Sequence, residues 1–187
     1  MFDIQPMMLG FVAWVSGIDL TRPLTPELVA AIEAGMDRYA VLVFHDQHFD
    51  DESQLAFSRN FGELEVSSGG EMSRPEERRL QPEVADISNL DNQGRLRAPD
   101  DLSAHIGTIL GWPVPEARAL IRDLTEHATQ RQFVYAHSWR QWDLVMWDNR
   151  TTMHRARRYN DRGEIRDMHR TTIRGDGPTA PQVAEAA

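Results

Sequence analysis

Apolar residues in the first third of the chain come in two spacings. Phe11 to Val15 and Ala40 to Phe44 are continuous runs. Short runs of this kind, bounded by turn residues, predict strands. The second run has no polar position, which predicts a strand covered on both faces. Gly17 ends the first run. Between the two, Leu28, Ala31, Ile32 and Met36 recur at helical spacing and share one face. Thr25 is a good N-cap there, with Pro26 at the first helical position and Glu27 behind it. Asp51 and Gln54 form a capping-box pattern ahead of Leu55 and Phe57, and Gly62 stands where that helix should stop.

The pattern then loosens. Ser67 to Glu83 is rich in Ser, Gly, Pro, Glu and Arg and reads as a surface loop. Val84 to Leu90 reads as a strand, and Asp91 to Asp101 is polar and turn-rich. Pro115 opens a second helical pattern, carried by Ala117, Leu120, Ile121 and Leu124. Phe133 to His137 and Leu144 to Trp147 predict two strands joined by a turn at Arg140 to Asp143. Arg166 to Arg174 predicts a last strand, and Gly175 to Ala187 a frayed Pro/Ala-rich tail. No internal repeat is visible. The elements together predict a mainly β protein with helices packed outside it.

Composition narrows the function classes. The 187 residues, 21.4 kDa, suit one domain at roughly 150 residues each. Lys and Arg number 20 against 29 Asp and Glu, a formal charge of −9. Such an acidic chain is a poor non-specific partner for nucleic acid or anionic lipid. Cysteine is absent, which removes disulfides, thiolate metal sites and cysteine nucleophiles. The apolar stretch from Met7 to Val15, broken by Gly10, is too short for a bilayer. The residues before it include Asp3 and no Lys or Arg, unlike a secretory signal. A cytoplasmic protein with no membrane or nucleic-acid partner is the expectation, with homo-oligomerisation left open.

Candidate chemistry gathers in the last third. Leu144 to Trp147 runs into the polar cluster Asp148-Asn149-Arg150, and His154 follows. Arg166 and Arg170 lie four apart on the last predicted strand, so period-two alternation points them the same way. An imidazole is a good iron ligand, and a guanidinium clamps a carboxylate through two parallel hydrogen bonds. The set suits an acidic cofactor beside a metal. The plainer alternative is a structural histidine and an exposed basic face that balances Asp and Glu.

Five stretches resemble one known family. They are VSGIDLTRPL (15–24), YAVLVFHDQHFDDESQLAFSRNFGELE (39–65), ADISNLDNQGR (85–95), LTEHATQRQFVYAHSWRQWDLVMWDNRTTMHRARRY (124–159) and RDMHRTTIRGD (166–176). The chain is similar to the TauD/TfdA family of Fe(II)- and 2-oxoglutarate-dependent dioxygenases, nearest its 2,4-dichlorophenoxyacetate branch. The resemblance implies a double-stranded β-helix, or jelly roll, braced by helices. It implies iron held by two His and one carboxylate, with open positions for 2-oxoglutarate and oxygen. It places the distal iron ligand at His154 and the Arg for the far carboxylate of 2-oxoglutarate at Arg166. It places an Arg that meets an acidic substrate group at Arg170. Trp147, Asp148 and Asn149 match a family run and read as scaffold. No side chain is assigned a directly catalytic role. The activity implied is hydroxylation of a small acidic substrate, phenoxyalkanoate- or sulfonate-like, by molecular oxygen, with release of succinate and CO2.

One departure stands out. Family members carry a W-H-x-D motif in a central block that this chain lacks. The two family-like halves meet near Pro99 to Leu102: either 1–187 is a single, incomplete jelly-roll domain with an internal deletion, or it is a longer sequence from which a segment is omitted there. His48-Phe49-Asp50 spells H-x-D, but it follows the Ala40–Phe44 strand, where Asp50 is well placed as a helix cap. His45 reads as a structural strand-end residue, His105 as part of a turn near the junction, and His127 and His137 have no partner visible in sequence. Two further readings follow from the deletion. One is a non-catalytic family member that binds or self-associates through strand edges left unpaired. The other is a metal-free carboxylate binder that uses Arg166 and Arg170.

Overall fold

The computed structural model describes residues 2–7, 10–66, 80–81, 83–86, 109, 111–157, 159–160 and 163–175. The chain divides into two compact units. The first comprises 1–17, 35–45 and 98–152, and the second 18–34, 46–97 and 153–187. Among the described residues are six strands and three α-helices, and the buried core is centred on sheet.

The first unit is built on a four-stranded sheet, ordered β1-β2-β3-β5. β1 is Asp3–Pro6, β2 Val12–Ser16, β3 Val41–Phe44 and β5 Leu144–Trp147. β2 and β3 run parallel, with Val12 opposite Val41 and Val15 opposite Phe44. β1 is antiparallel to β2 and β5 antiparallel to β3. All four residues of β3 are buried, as its unbroken apolar run predicts. Full burial of Leu42 and Phe44 contributes on the order of 1.5–3 kcal/mol each. β2 buries Val12, Ala13 and Val15 and exposes Trp14 and Ser16. Val12, Val41 and Val43 form a cluster edged by Phe11, Tyr135, Val145 and Trp147.

The chain passes from the second unit into the first within helix α1, Pro26–Tyr39. Thr25 caps it, its hydroxyl accepting from the Leu28 N–H at 3.4 Å. In the first unit, a Cβ on Gly35 would lie 2.9 Å from Ile4 Cδ1 and 3.2 Å from Leu42 Cδ1. Only glycine lets the end of α1 come this close to β1 and β3. Helix α3, Val114–Ala128, forms where the Ala117–Leu124 pattern predicts it, with Ala117 buried. None of the helices in the described residues is long and apolar enough to cross a membrane.

One expectation fails in this unit, and one strand has no counterpart in the sequence reading. β1 has no apolar signature and is visible only in the structure. Phe133 to His137 is not a strand. A 3-10 turn spans Arg131–Phe133, and residues 134–140 run without a ladder. Here Tyr135 and His137 anchor the chain through their side chains instead of the backbone. The predicted turn at Arg140 to Asp143 is present, closed by the Asp143 N–H on the Arg140 carbonyl at 3.2 Å.

In the second unit, helix α2 spans Asp51–Ser58. Its cap is Asp50, which the sequence also offered as a helix cap, and not Asp51. The Asp50 carboxylate accepts from the Ser53 N–H at 2.8 Å, and Ser53 Oγ accepts from the Asp50 N–H at 3.0 Å. A 3-10 turn, Arg59–Phe61, follows, and Gly62 ends it at φ 138°. The buried Gln47 carboxamide accepts from the Leu20 N–H at 2.8 Å and donates to the Ile18 carbonyl at 3.2 Å. β4, Ala85–Asp86, pairs antiparallel with β6, His169–Arg170. The strand expected over Arg166 to Arg174 is thus only two residues long, with a separate bridge from Ile173 to Leu64. The expected Val84 to Leu90 strand is described only at Ala85–Asp86. The loop 67–79, the junction near 99–102 with His105, and the tail 176–187 lie outside the described residues.

Candidate functional site

The site is built on β6. Pairing of Arg170 with Ala85 and of His169 with Asp86 fixes its backbone. Side chains on either side of Arg170 tie it to α2. His169 Nδ1 lies 2.8 Å from an Asp51 carboxylate oxygen, and Thr171 Oγ1 lies 2.8 Å from Ser58 Oγ. Asp167 closes on the other ring nitrogen of His169 at 3.3 Å.

Arg170 is half-buried, and its Nε is fully buried with no hydrogen-bond partner among the described residues. A buried donor without an acceptor is costly and marks either strain or a place for a ligand. His154 lies within its electrostatic reach. Desolvation and the positive charge of Arg170 both hold the His154 pKa below the ordinary imidazole value. The neutral imidazole is the form that ligates metals. Arg166 is half-buried, with its guanidinium 5.7 Å from the centre of the Tyr159 ring. The structure therefore brings His154 and Arg170 together and seats Arg166 on Tyr159. The strand alternation expected to align Arg166 with Arg170 is absent, because residue 166 lies outside β6.

Metal ligands are sparse. Among the described residues, no group of three His, Cys, Asp or Glu side chains could hold a metal ion. In His48-Phe49-Asp50, the Asp50 carboxylate caps α2. The hydroxyl and N–H of Ser53 hold its pKa below the usual carboxylate value. His127 packs against the Phe133 ring, with centroids 5.4 Å apart.

In the first unit, the run after β5 forms a hydrogen-bonded turn whose Asp148 N–H donates to the Ala40 carbonyl at 2.9 Å. Trp147 Nε1 donates to Asn149 Oδ1 at 2.9 Å, and Arg150 Nε and Nη2 each donate to the Asp148 carboxylate at 3.0 Å. The Thr152 hydroxyl donates to the Asp148 carbonyl at 2.7 Å. These are the bonds of a scaffold. Sequence reasoning missed a second polar cluster in this unit, where Asp143 joins His45 and His137. His45 and Asp143 are 98 positions apart, and no local pattern links them.

The model of the taurine catabolism dioxygenase TauD, TfdA family matches residues 3–106 and 91–172. The chain belongs to the TauD/TfdA family. It is 29% identical to the alpha-ketoglutarate-dependent 2,4-dichlorophenoxyacetate dioxygenase of Burkholderia sp. strain RASC, in an alignment of 274 positions covering 88% of this chain and 92% of the relative. It is 28% identical to the dioxygenase of the same name from Cupriavidus pinatubonensis over 281 positions, covering 92% and 97%. Both alignments are longer than the chain, so part of each relative faces no residue of it. Among solved structures, AAD-2 in complex with Mn(II) and N-oxalylglycine is similar, with TM-score 0.85 and 31% identity. That match covers 96% of this chain and 99% of AAD-2. A taurine dioxygenase from Burkholderia xenovorans, at 23% identity, TM-score 0.61 and 80% of both chains, shares the fold.

Proposed function

We propose that this TauD/TfdA protein is an Fe(II)- and 2-oxoglutarate-dependent oxygenase that hydroxylates a small acidic substrate and releases succinate and CO2, given the H-x-D segment this sequence lacks. The observation that carries the reading is the buried Nε of Arg170, which has no hydrogen-bond partner among the described residues and whose charge bears on His154. A carboxylate is the natural acceptor for that donor. The resemblance puts the far carboxylate of 2-oxoglutarate on Arg166 and an acidic substrate group on Arg170. The substrate classes it suggests are phenoxyalkanoates and sulfonates. The names of the two dichlorophenoxyacetate dioxygenases support this reading, as does the N-oxalylglycine, a dicarboxylate, bound to AAD-2. We also propose the jelly roll for the complete fold, on the likeness to AAD-2, and a cytoplasmic location, on the absence of cysteine.

The described residues do not fit Fe(II). His154 would supply one ligand, and among the described residues no group of three His, Cys, Asp or Glu side chains could hold the ion. No step through iron is derived for this chain. Catalysis requires an H-x-D segment, which we place at the junction near residues 99–102; alignments longer than the chain support a gap relative to the relatives.

The test is the intact mass of the purified polypeptide together with succinate formation from 2-oxoglutarate, Fe(II) and phenoxyalkanoates. A mass above 21.4 kDa with succinate produced is the expected result. A mass of 21.4 kDa, with neither Fe(II) retained nor succinate formed, contradicts catalysis and selects the non-catalytic reading.

A further inference from the structure

The second polar cluster has its own chemistry, on which the proposed function does not draw. β3 and β5 are antiparallel with Phe44 opposite Leu144, so His45 and Asp143 emerge at the same end of the pair. The Asp143 side chain is 1% exposed, His137 10% and His45 18%. One Asp143 oxygen accepts from His45 Nδ1. The other accepts from His137 Nε2 and from the Arg140 backbone N–H, each at 2.9 Å. The Tyr135 hydroxyl lies 2.9 Å from His137 Nδ1. Trp14 meets His45 edge-on at 5.0 Å, and Trp139 meets His137 edge-on at 4.7 Å.

Donor and acceptor chemistry fixes the direction of each bond. An ionised carboxylate only accepts, so both imidazoles donate to Asp143. A neutral His137 that donates through Nε2 has a bare Nδ1, which accepts from the Tyr135 hydroxyl. Burial and the charge of Asp143 both raise the Tyr135 pKa, so that hydroxyl keeps its proton. Burial alone would raise the Asp143 pKa. The bonds from His45, the Arg140 N–H and His137 more than offset it and hold the carboxylate ionised. The titratable groups that face one another here are Tyr135, His137, Asp143 and His45. Arg140 contributes its main-chain N–H.

We propose that Tyr135, His137, Asp143 and His45 form a two-stage, acid-released latch that holds the 134–143 segment against the end of β3. In the first stage, a proton from solvent adds to His137 Nδ1. That nitrogen turns from acceptor to donor, and the Tyr135 hydroxyl must rotate away. The bond from Nε2 to Asp143 survives, so the segment stays in place. In the second stage, a proton adds to Asp143. The protonated oxygen turns from acceptor to donor, and the imidazolium of His137 is left without its counter-charge. Loss of the charge-assisted bonds to Asp143 frees the segment.

Two measurements on the purified chain test this. In nitrogen-15 spectra at neutral pH, His137 carries its proton on Nε2, and a proton on Nδ1 instead overturns the proposal. Amide hydrogen exchange across residues 134–146, corrected for intrinsic rates, is then followed from pH 8 to pH 3. Protection persists after His137 gains its second proton and falls at least ten-fold when Asp143 is protonated. Loss of protection in step with His137 overturns the proposal. Tyr135→Phe removes only the outer bond, so it leaves the acid midpoint of protection unmoved, and a shifted midpoint contradicts the two-stage order. Asp143→Asn weakens protection already at neutral pH, and unchanged protection contradicts the role of the carboxylate. If that variant does not fold, the tautomer and Tyr135→Phe results still decide.

Discussion

Two polar clusters in this chain share an inventory and differ in closure. Around Asp143 in the first unit, the carboxylate has three donors, and the Tyr135 hydroxyl completes the chain at His137. Around β6 in the second unit, Arg170 has a buried Nε with no acceptor among the described residues, and its charge bears on His154. A closed network is self-sufficient and rigidifies the fold. An open one has a bond left for something the chain does not supply. The contrast teaches that titratable residues alone do not mark a ligand site. The unmet bond does.

The sharpest way to break the comparison is to remove the hub of the closed cluster. Asp143→Ala leaves two imidazoles and an N–H without their acceptor and is expected to cost about 3 kcal/mol in denaturant unfolding. A cost near zero contradicts closure as a stabilising feature. The same carboxylate sets a pH dependence. Its folded pKa lies below the ordinary value, so its contribution is fully present above about pH 4 and is lost as pH falls through the folded value. The urea-midpoint gap between wild type and Asp143→Asn should therefore hold from pH 7 to pH 5 and close below pH 4. A gap that instead widens in acid reverses the sign and contradicts the assignment.

Smaller effects separate cap from site. Asp50→Ala removes the α2 cap and should lower Tm by a few degrees, without changing Fe(II) or carboxylate binding. A binding change in that variant would restore His48-Phe49-Asp50 as a ligand pair. The least effect on stability is expected at the open cluster. Arg170→Met deletes an unsatisfied donor while keeping an apolar stem, so unfolding should move by less than about 1 kcal/mol. A large loss would mean that Arg170 is structural.

The elements legible in sequence are those with one decisive spacing. β2, β3 and β5 are unbroken apolar runs, and α1 and α3 carry helical periodicity with Thr25 and Pro113–Pro115 at their starts. β1 was not legible, because Asp3, Gln5 and Pro6 form no apolar pattern and its pairing with β2 supplies the strand. Phe133 to His137 has strand-like composition, yet Tyr135 and His137 tie it into a side-chain network. The Arg166 to Arg174 strand was over-read, because its backbone pairs with β4 at only two residues. His154, Arg166 and Arg170 are site candidates through family resemblance. The meeting of His45 with Asp143 was not legible, since contact across 98 positions leaves no trace in local spacing.

The central claim is that the open cluster is a carboxylate site. It is tested most directly by calorimetric titration of a phenoxyalkanoate, the acid proposed to meet Arg170, into the wild-type chain and into Arg170→Met, with Tm followed alongside. The account predicts binding to the wild type, at least ten-fold weaker in the variant, at nearly unchanged Tm. Equal binding by the two proteins, or no binding to a folded wild type, would contradict it.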